Sequence, residues 1–110
     1  MTYQVQEDRG FSIVLLTGDV DLSCSPDARK TILDCLESSK NTLVDLSDVS
    51  YIDSSGVASL VEGYQTAKKK NLKFGLVGVS RPAMSVLELA RLDKVFPIYA
   101  DIEECLNKDG

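Results

Sequence analysis

Ile52-Asp53-Ser54-Ser55-Gly56 places a carboxylate directly before two hydroxyls and a glycine directly after them. The preceding run, Thr42 to Leu46, is apolar enough for a buried strand. Val57, Leu60, Val61, Tyr64 and Ala67 then recur at helical spacing. The hydroxyls therefore fall where a strand gives way to a helix. In chains that alternate strands and helices, such junctions lie at the carboxyl ends of strands, where sites commonly form. Two chemistries are open to a serine in that place. It can attack a substrate, or it can accept a group from another protein.

Attack needs an activating base, and the chain has no histidine. That removes the Ser-His-Asp triad, a phosphohistidine relay and imidazole-bound zinc. The residues before Ser54 are Ile52 and Asp53, so there is no G-x-S-x-G elbow. No Walker lysine or G-x-G-x-x-G loop offers a nucleotide site. Asp19, Asp21, Asp45 and Asp53 could gather at one end of a sheet, but each has an ordinary role as a strand-end or turn-capping residue. The expectation is no enzyme, no metal and no cofactor.

Acceptance of a phosphoryl group needs only an accessible hydroxyl. A seryl phosphate carries roughly −1.5 to −2 charges, and a helix N-terminus stabilises an anion by about 0.3–1 kcal/mol. The domain would tolerate the modification. A docked partner would not, because an uncompensated charge buried in an interface costs roughly 3–5 kcal/mol. A bare Asp-Ser-Ser-Gly run also fits a plain polar turn, with Ser54 or Ser55 as N-cap. Gly56 in the first turn costs about 1 kcal/mol against alanine, which suggests that another surface must come close to the backbone there.

Several elements have to position this junction. Thr2–Glu7 and Phe11–Thr17 read as a hairpin around Asp8-Arg9-Gly10, and Gly18-Asp19-Val20-Asp21 leads out into a polar loop. Ser25 as N-cap and Pro26 in the first turn open a helix with Ala28, Ile32, Cys35 and Leu36 on its buried face. After the helix that follows Gly56, Asn71 is a stop before a strand at Lys73–Val77. Ser80 and Pro82 open a third helix with a core face of Ala83, Val86, Leu87 and Ala90. Met84 and Leu89 lie off that face, as interface residues or as the edge of a wide stripe. Phe96–Tyr99 reads as an edge strand. Asp101 and Glu104 form a capping-box pattern for a short last helix, with fraying expected from Asn107 to Gly110. The order β-β-α-β-α-β-α-β-α implies one α/β domain over residues 1–110, with a mixed, mostly parallel sheet.

A chain of 110 residues with 44% hydrophobic side chains suits one globular core. The net charge of −5 disfavours nucleic acid as a partner. No apolar run approaches the ~20 residues that a membrane span needs, and the N-terminus does not read as a secretory signal. A cytoplasmic location is the expectation. Lys68-Lys69-Lys70 complement the negative end of a helix. Of the three cysteines, Cys35 and Cys105 fall on apolar helix faces, and Cys24 is the one placed to react.

The run from Val44 to Val57 resembles the signature of STAS domains, the anti-sigma-factor antagonist family. Gly18-Asp19-Val20-Asp21 is similar to that family's G-(D/E)-(L/V)-D element, and Val86 to Phe96 to its third helix and last strand. The resemblance implies that Ser54 is the phosphoacceptor. Asp21 and Asp53 would flank it, with Ser55, Gly56 and the neighbouring loops in the partner-binding surface. It implies as partners an anti-sigma factor that is also a serine kinase, and a serine phosphatase of the metal-dependent class. Two other functions fit the resemblance: a stand-alone STAS subunit regulating a membrane lipid-transport ABC ATPase, and a scaffold module in a signalling complex. Leu22 to Pro26 match no typical member, which leaves that loop unassigned.

Overall fold

Side-chain alternation along two neighbouring strands decides the architecture. In the computed structural model, which describes residues 3–109, these are β2 (Phe11–Val20) and β3 (Asn41–Ile52). Val14 and Leu16 of β2 and Val44 and Leu46 of β3 face one side. Phe11 and Ile13, with Leu43, face the other. The first set packs under α1 (Ser25–Glu37), α2 (Ser54–Lys69) and α3 (Arg81–Leu89), through Ile32, Leu36, Leu60 and Leu87. The second set meets Cys105 and Leu106 of α4 (Ile102–Asp109). Three helices therefore cover one face and one helix covers the other.

β1 (Gln4–Asp8), β4 (Phe74–Val77) and β5 (Ile98–Tyr99) complete a five-stranded sheet of order β1-β2-β3-β4-β5. β1 runs antiparallel to β2, and every other pairing is parallel. The hairpin turn is Arg9-Gly10, with φ of 48° and 91°, the two left-handed residues that a tight two-residue turn requires. The element order is the one expected from the sequence, and the first strand is the antiparallel one.

Several boundaries differ from the expected ones. β3 does not stop at Leu46 but runs on through Ser47, Asp48, Val49, Ser50 and Tyr51 to Ile52. Its pairing with β2 slips between Leu15 and Thr17 and again between Gly18 and Asp19. Those irregularities turn Val49 and Ile52 inward while their polar neighbours stay exposed, so the stretch lacks strict alternation and reads as loop. At α1 the N-cap is Cys24, not Ser25. The Asp21 carbonyl accepts from the Cys24 and Ser25 amides at 2.9 and 2.7 Å, so a tight turn feeds the helix and draws Ser25 inside it.

In α3, Ala83 and Leu87 are buried, Val86 is half-buried, and Ala90 lies exposed beyond the helix end. Met84 is half-buried, whereas Leu89 is 86% exposed. β5 is shorter than expected because Phe96 and Pro97 precede the ladder, although the Pro97 carbonyl still accepts from the Leu76 amide at 2.9 Å. α4 is helical to Asp109, past the point where fraying was expected; Gly110 lies outside the described residues. Its start is fixed by Asp101, whose carboxylate accepts from the Glu104 amide at 2.9 Å. Glu104 in turn accepts from the Ala100 amide at 3.0 Å.

Candidate functional site

β3 ends at Ile52 because that side chain is anchored in the core, only 1% exposed. The next residue is free to turn. Asp53 has φ −106° and ψ −173°, and this extended backbone makes it the N-cap of α2. Its Oδ1 accepts from the Ser55 amide at 2.9 Å, the Gly56 amide at 3.1 Å and the Ser55 hydroxyl at 2.5 Å. The cap is therefore the carboxylate and not Ser54 or Ser55, which corrects the expectation from sequence. A charged oxygen at the positive end of a helix satisfies two orphan amides at once.

Ser54 is the first helical residue, and it is exposed. Its hydroxyl has no hydrogen-bond partner among the described residues. Ser55 is half-buried and committed to Asp53. Two adjacent serines of identical chemistry thus stand in different states.

The loop after β2 lies alongside. The Asp53 amide donates to the Val20 carbonyl at 3.3 Å, and the Leu22 amide lies near the Asp53 carboxylate, favouring its ionised form. Asp21 closes its own small turn, accepting at Oδ1 from the Ser23 amide at 3.0 Å and the Ser23 hydroxyl at 2.6 Å. The Ser55 hydroxyl, with help from the Gly56, Ser55 and Leu22 amides, holds the Asp53 carboxyl below the usual range. The Ser23 hydroxyl and amide do the same for Asp21, against partial desolvation and the like charge of Asp53 nearby. The structure therefore brings Asp21, Asp53, Ser54 and Ser55 to one end of the sheet.

Gly56 is buried, and the close neighbour that requires it is internal. A Cβ there would lie 2.7 Å from the Val20 carbonyl oxygen and 2.6 Å from Ile52 Cγ1. The glycine lets the first turn of α2 sit on the ends of β2 and β3. The surface that comes close to the backbone at Gly56, as the sequence suggests, is the protein's own.

The other aspartates do not join the site. Asp45 Oδ1 binds the Ser47 amide at 2.8 Å and the Ser47 hydroxyl at 2.6 Å, and Asp19 is exposed on β2. Among the described residues no three histidine, cysteine or carboxylate groups converge as metal ligands. Cys24 is half-buried, with Ser23 Oγ 3.7 Å from its sulfur and the Tyr3 hydroxyl hydrogen-bonded to it.

Two features beside the site were not anticipated. Leu22 is 73% exposed at the crest of the loop, signalled in sequence only by one leucine among polar residues. Arg29 on α1 and Glu62 on α2 form a double hydrogen bond, Nε to Oε1 and Nη2 to Oε2, both at 2.7 Å. Their distance apart in sequence left no local pattern to read.

A model of the STAS domain matches residues 2–105. The chain belongs to the STAS domain family. Similar relatives include the anti-sigma F factor antagonist of Paenibacillus polymyxa, 24% identical over 87% of this chain and 84% of that one. An anti-sigma factor antagonist from Mycobacterium paratuberculosis has a similar solved structure, with TM-score 0.86 and 28% identity over 97% of this chain and 92% of the other. The Bacillus cell fate determinant SpoIIAA, solved in its phosphorylated form, aligns with TM-score 0.74 over 99% of this STAS chain and all of its own. At 18% identity that likeness is one of fold. No helix among the described residues is long and apolar enough to cross a membrane.

Proposed function

We propose that this STAS domain is an anti-sigma-factor antagonist whose binding is switched by phosphorylation at Ser54. The observation that carries this reading is the state of Ser54, exposed and unengaged at the first position of α2. The names of the relatives supply the class of partner. The unmodified protein binds an anti-sigma factor that is also a serine kinase, in the cytoplasm where that kinase finds its ATP. Transfer of the γ-phosphoryl group to Ser54 places a dianion against the docked surface and releases the partner. A serine phosphatase of the metal-dependent class restores the hydroxyl. Asp21, Asp53 and Ser55 lie around the modified residue, and buried Gly56 supports them from beneath. The protein is substrate and binding module and turns nothing over itself.

Incubation with the kinase-type anti-sigma factor of the same genome and ATP tests this, with the product mapped by mass spectrometry and binding followed alongside. One phosphoryl group at Ser54 and release of the partner are expected. An unlabelled chain, or a partner bound equally well before and after labelling, defeats the reading.

A further inference from the structure

We propose that Asp53 decides which of the two adjacent serines accepts the phosphoryl group, by holding the Ser55 hydroxyl and leaving Ser54 as the open acceptor. This deepens the reading above and rests on it.

The resemblance points to Ser54 but supplies no physical reason for a kinase to prefer one of two neighbouring hydroxyls. The structure does. In the transfer, a serine oxygen forms the new O–P bond, the bond from γ-phosphorus to the bridging oxygen breaks, and the nucleoside diphosphate leaves. The hydroxyl proton passes to a base on the kinase. The attacking oxygen must be reachable in line with the breaking bond. Ser54 meets that condition, being exposed and unbonded. Ser55 fails it twice. It is half-buried, and its proton is directed to Asp53 Oδ1 at 2.5 Å.

A carboxylate bonded to a serine hydroxyl can also serve as its base, which would favour Ser55. The surroundings of Asp53 argue against that role. The same Oδ1 already accepts from the amides of Ser55 and Gly56, and the Leu22 amide lies near the carboxylate. Those donors stabilise the ionised form and make it a poor proton acceptor. Here the carboxylate restrains its neighbour.

The experiment compares the full chain with Asp53→Ala, Asp53→Asn, Ser54→Ala and the Asp53→Ala/Ser54→Ala double variant. Each is incubated with the same kinase and ATP, and phosphosites are quantified by mass spectrometry after circular dichroism confirms folding. Wild type is expected to be labelled at Ser54 alone, and Ser54→Ala to be silent. Asp53→Ala should label both serines, and the double variant Ser55. The gain at Ser55 should be about tenfold or more over wild type, the equivalent of losing one charge-assisted hydrogen bond. Asp53→Asn keeps a capping oxygen without its charge and should give a smaller gain. Folded Asp53 variants labelled only at Ser54, or not at all, overturn the inference while the wild-type result upholds the function. Wild type labelled at Ser55 overturns the inference in favour of the base. Wild type labelled at neither serine defeats the underlying function.

Discussion

Arg29 and Glu62 clasp the two helices that border the candidate site, through parallel bonds of 2.7 Å between guanidinium and carboxylate. Both side chains are about half exposed, at 52% and 42%, so water and salt screen the pair. Its value is geometric, fixing α1 against the middle of α2. Arg29→Ala and Glu62→Ala should each lower the melting temperature slightly, and the double variant should fall little further. Raising the salt concentration should shrink the difference from wild type. A double variant that loses the sum of both single effects would mean that the residues act independently.

Gly56 makes a sterner demand. An added methyl would press on the Val20 carbonyl, which is backbone and cannot rotate away. Overpacking of this kind costs about 1–3 kcal/mol. Gly56→Ala should therefore show a clearly lowered denaturant midpoint. At Gly63 the nearest atoms to a new Cβ are Ile32 Cγ2 at 2.7 Å and Phe74 Cε2 at 3.0 Å, buried side-chain atoms that have less room than a surface group but, unlike a carbonyl, are not backbone. Gly63→Ala should cost less. Equal losses at both positions, or none at Gly56, would refute the ranking.

The contrast between these glycines shows what the sequence conceals. The order of elements, the face of α2 and the strand-to-helix junction are legible, because burial repeats with a fixed period along Val57, Leu60 and Ala67. The N-cap is not. Ser23, Cys24 and Ser25 stand together at the start of α1 and Asp53, Ser54 and Ser55 at the start of α2, and the cap falls to whichever residue is left in extended or turning backbone after the preceding segment is anchored. Ile52 in the core leaves Asp53 in that place, and the Asp21 turn leaves Cys24. The length of β3 was hidden for a related reason, since its register slips against β2 spoil the alternation that marks a strand. Reading Ser54 as open and Ser55 as engaged needed coordinates, because the difference lies in one hydrogen bond.

Carboxylates held below their ordinary range have a signed effect on stability. Hydrogen bonds from Ser55 to Asp53 and from Ser23 to Asp21 favour the ionised forms in the folded state. Their contribution is present above the unfolded carboxylate value of about 3.9 and is lost as pH falls through the lower folded values. Asp21→Asn and Asp53→Asn should each flatten the acid limb of a stability–pH profile measured by denaturant unfolding. An unchanged acid limb in both variants would contradict these bonds.

Tyr3 works at the other extreme. Burial, with the neighbouring Cys24 thiol second, pushes its phenol up to about 12. Because the folded value is raised, the stabilisation is complete below the unfolded value of about 10 and disappears as pH rises towards 12. Ultraviolet titration should show a late phenolate phase that Tyr3→Phe removes. If that phase survives in the variant, the shifted group is another tyrosine.

Ser54→Asp and Ser54→Ala separate the charge mechanism from a loss of shape. Both should fold, since Ser54 is exposed and caps nothing, and an acidic residue in the first turn of α2 opposes the helix dipole favourably. Alanine should keep the partner bound and cannot be released by ATP. Aspartate buries a charge in the interface, and an uncompensated charge there costs roughly 3–5 kcal/mol, two to three and a half decades of affinity. Aspartate carries one negative charge where phosphoserine carries nearly two, so the lower end of that range is expected. Calorimetric titration of both variants with the anti-sigma factor, at matched salt, measures the gap. Alanine weakening the complex as much as aspartate would show that the hydroxyl itself is a contact, and that charge is not what drives release.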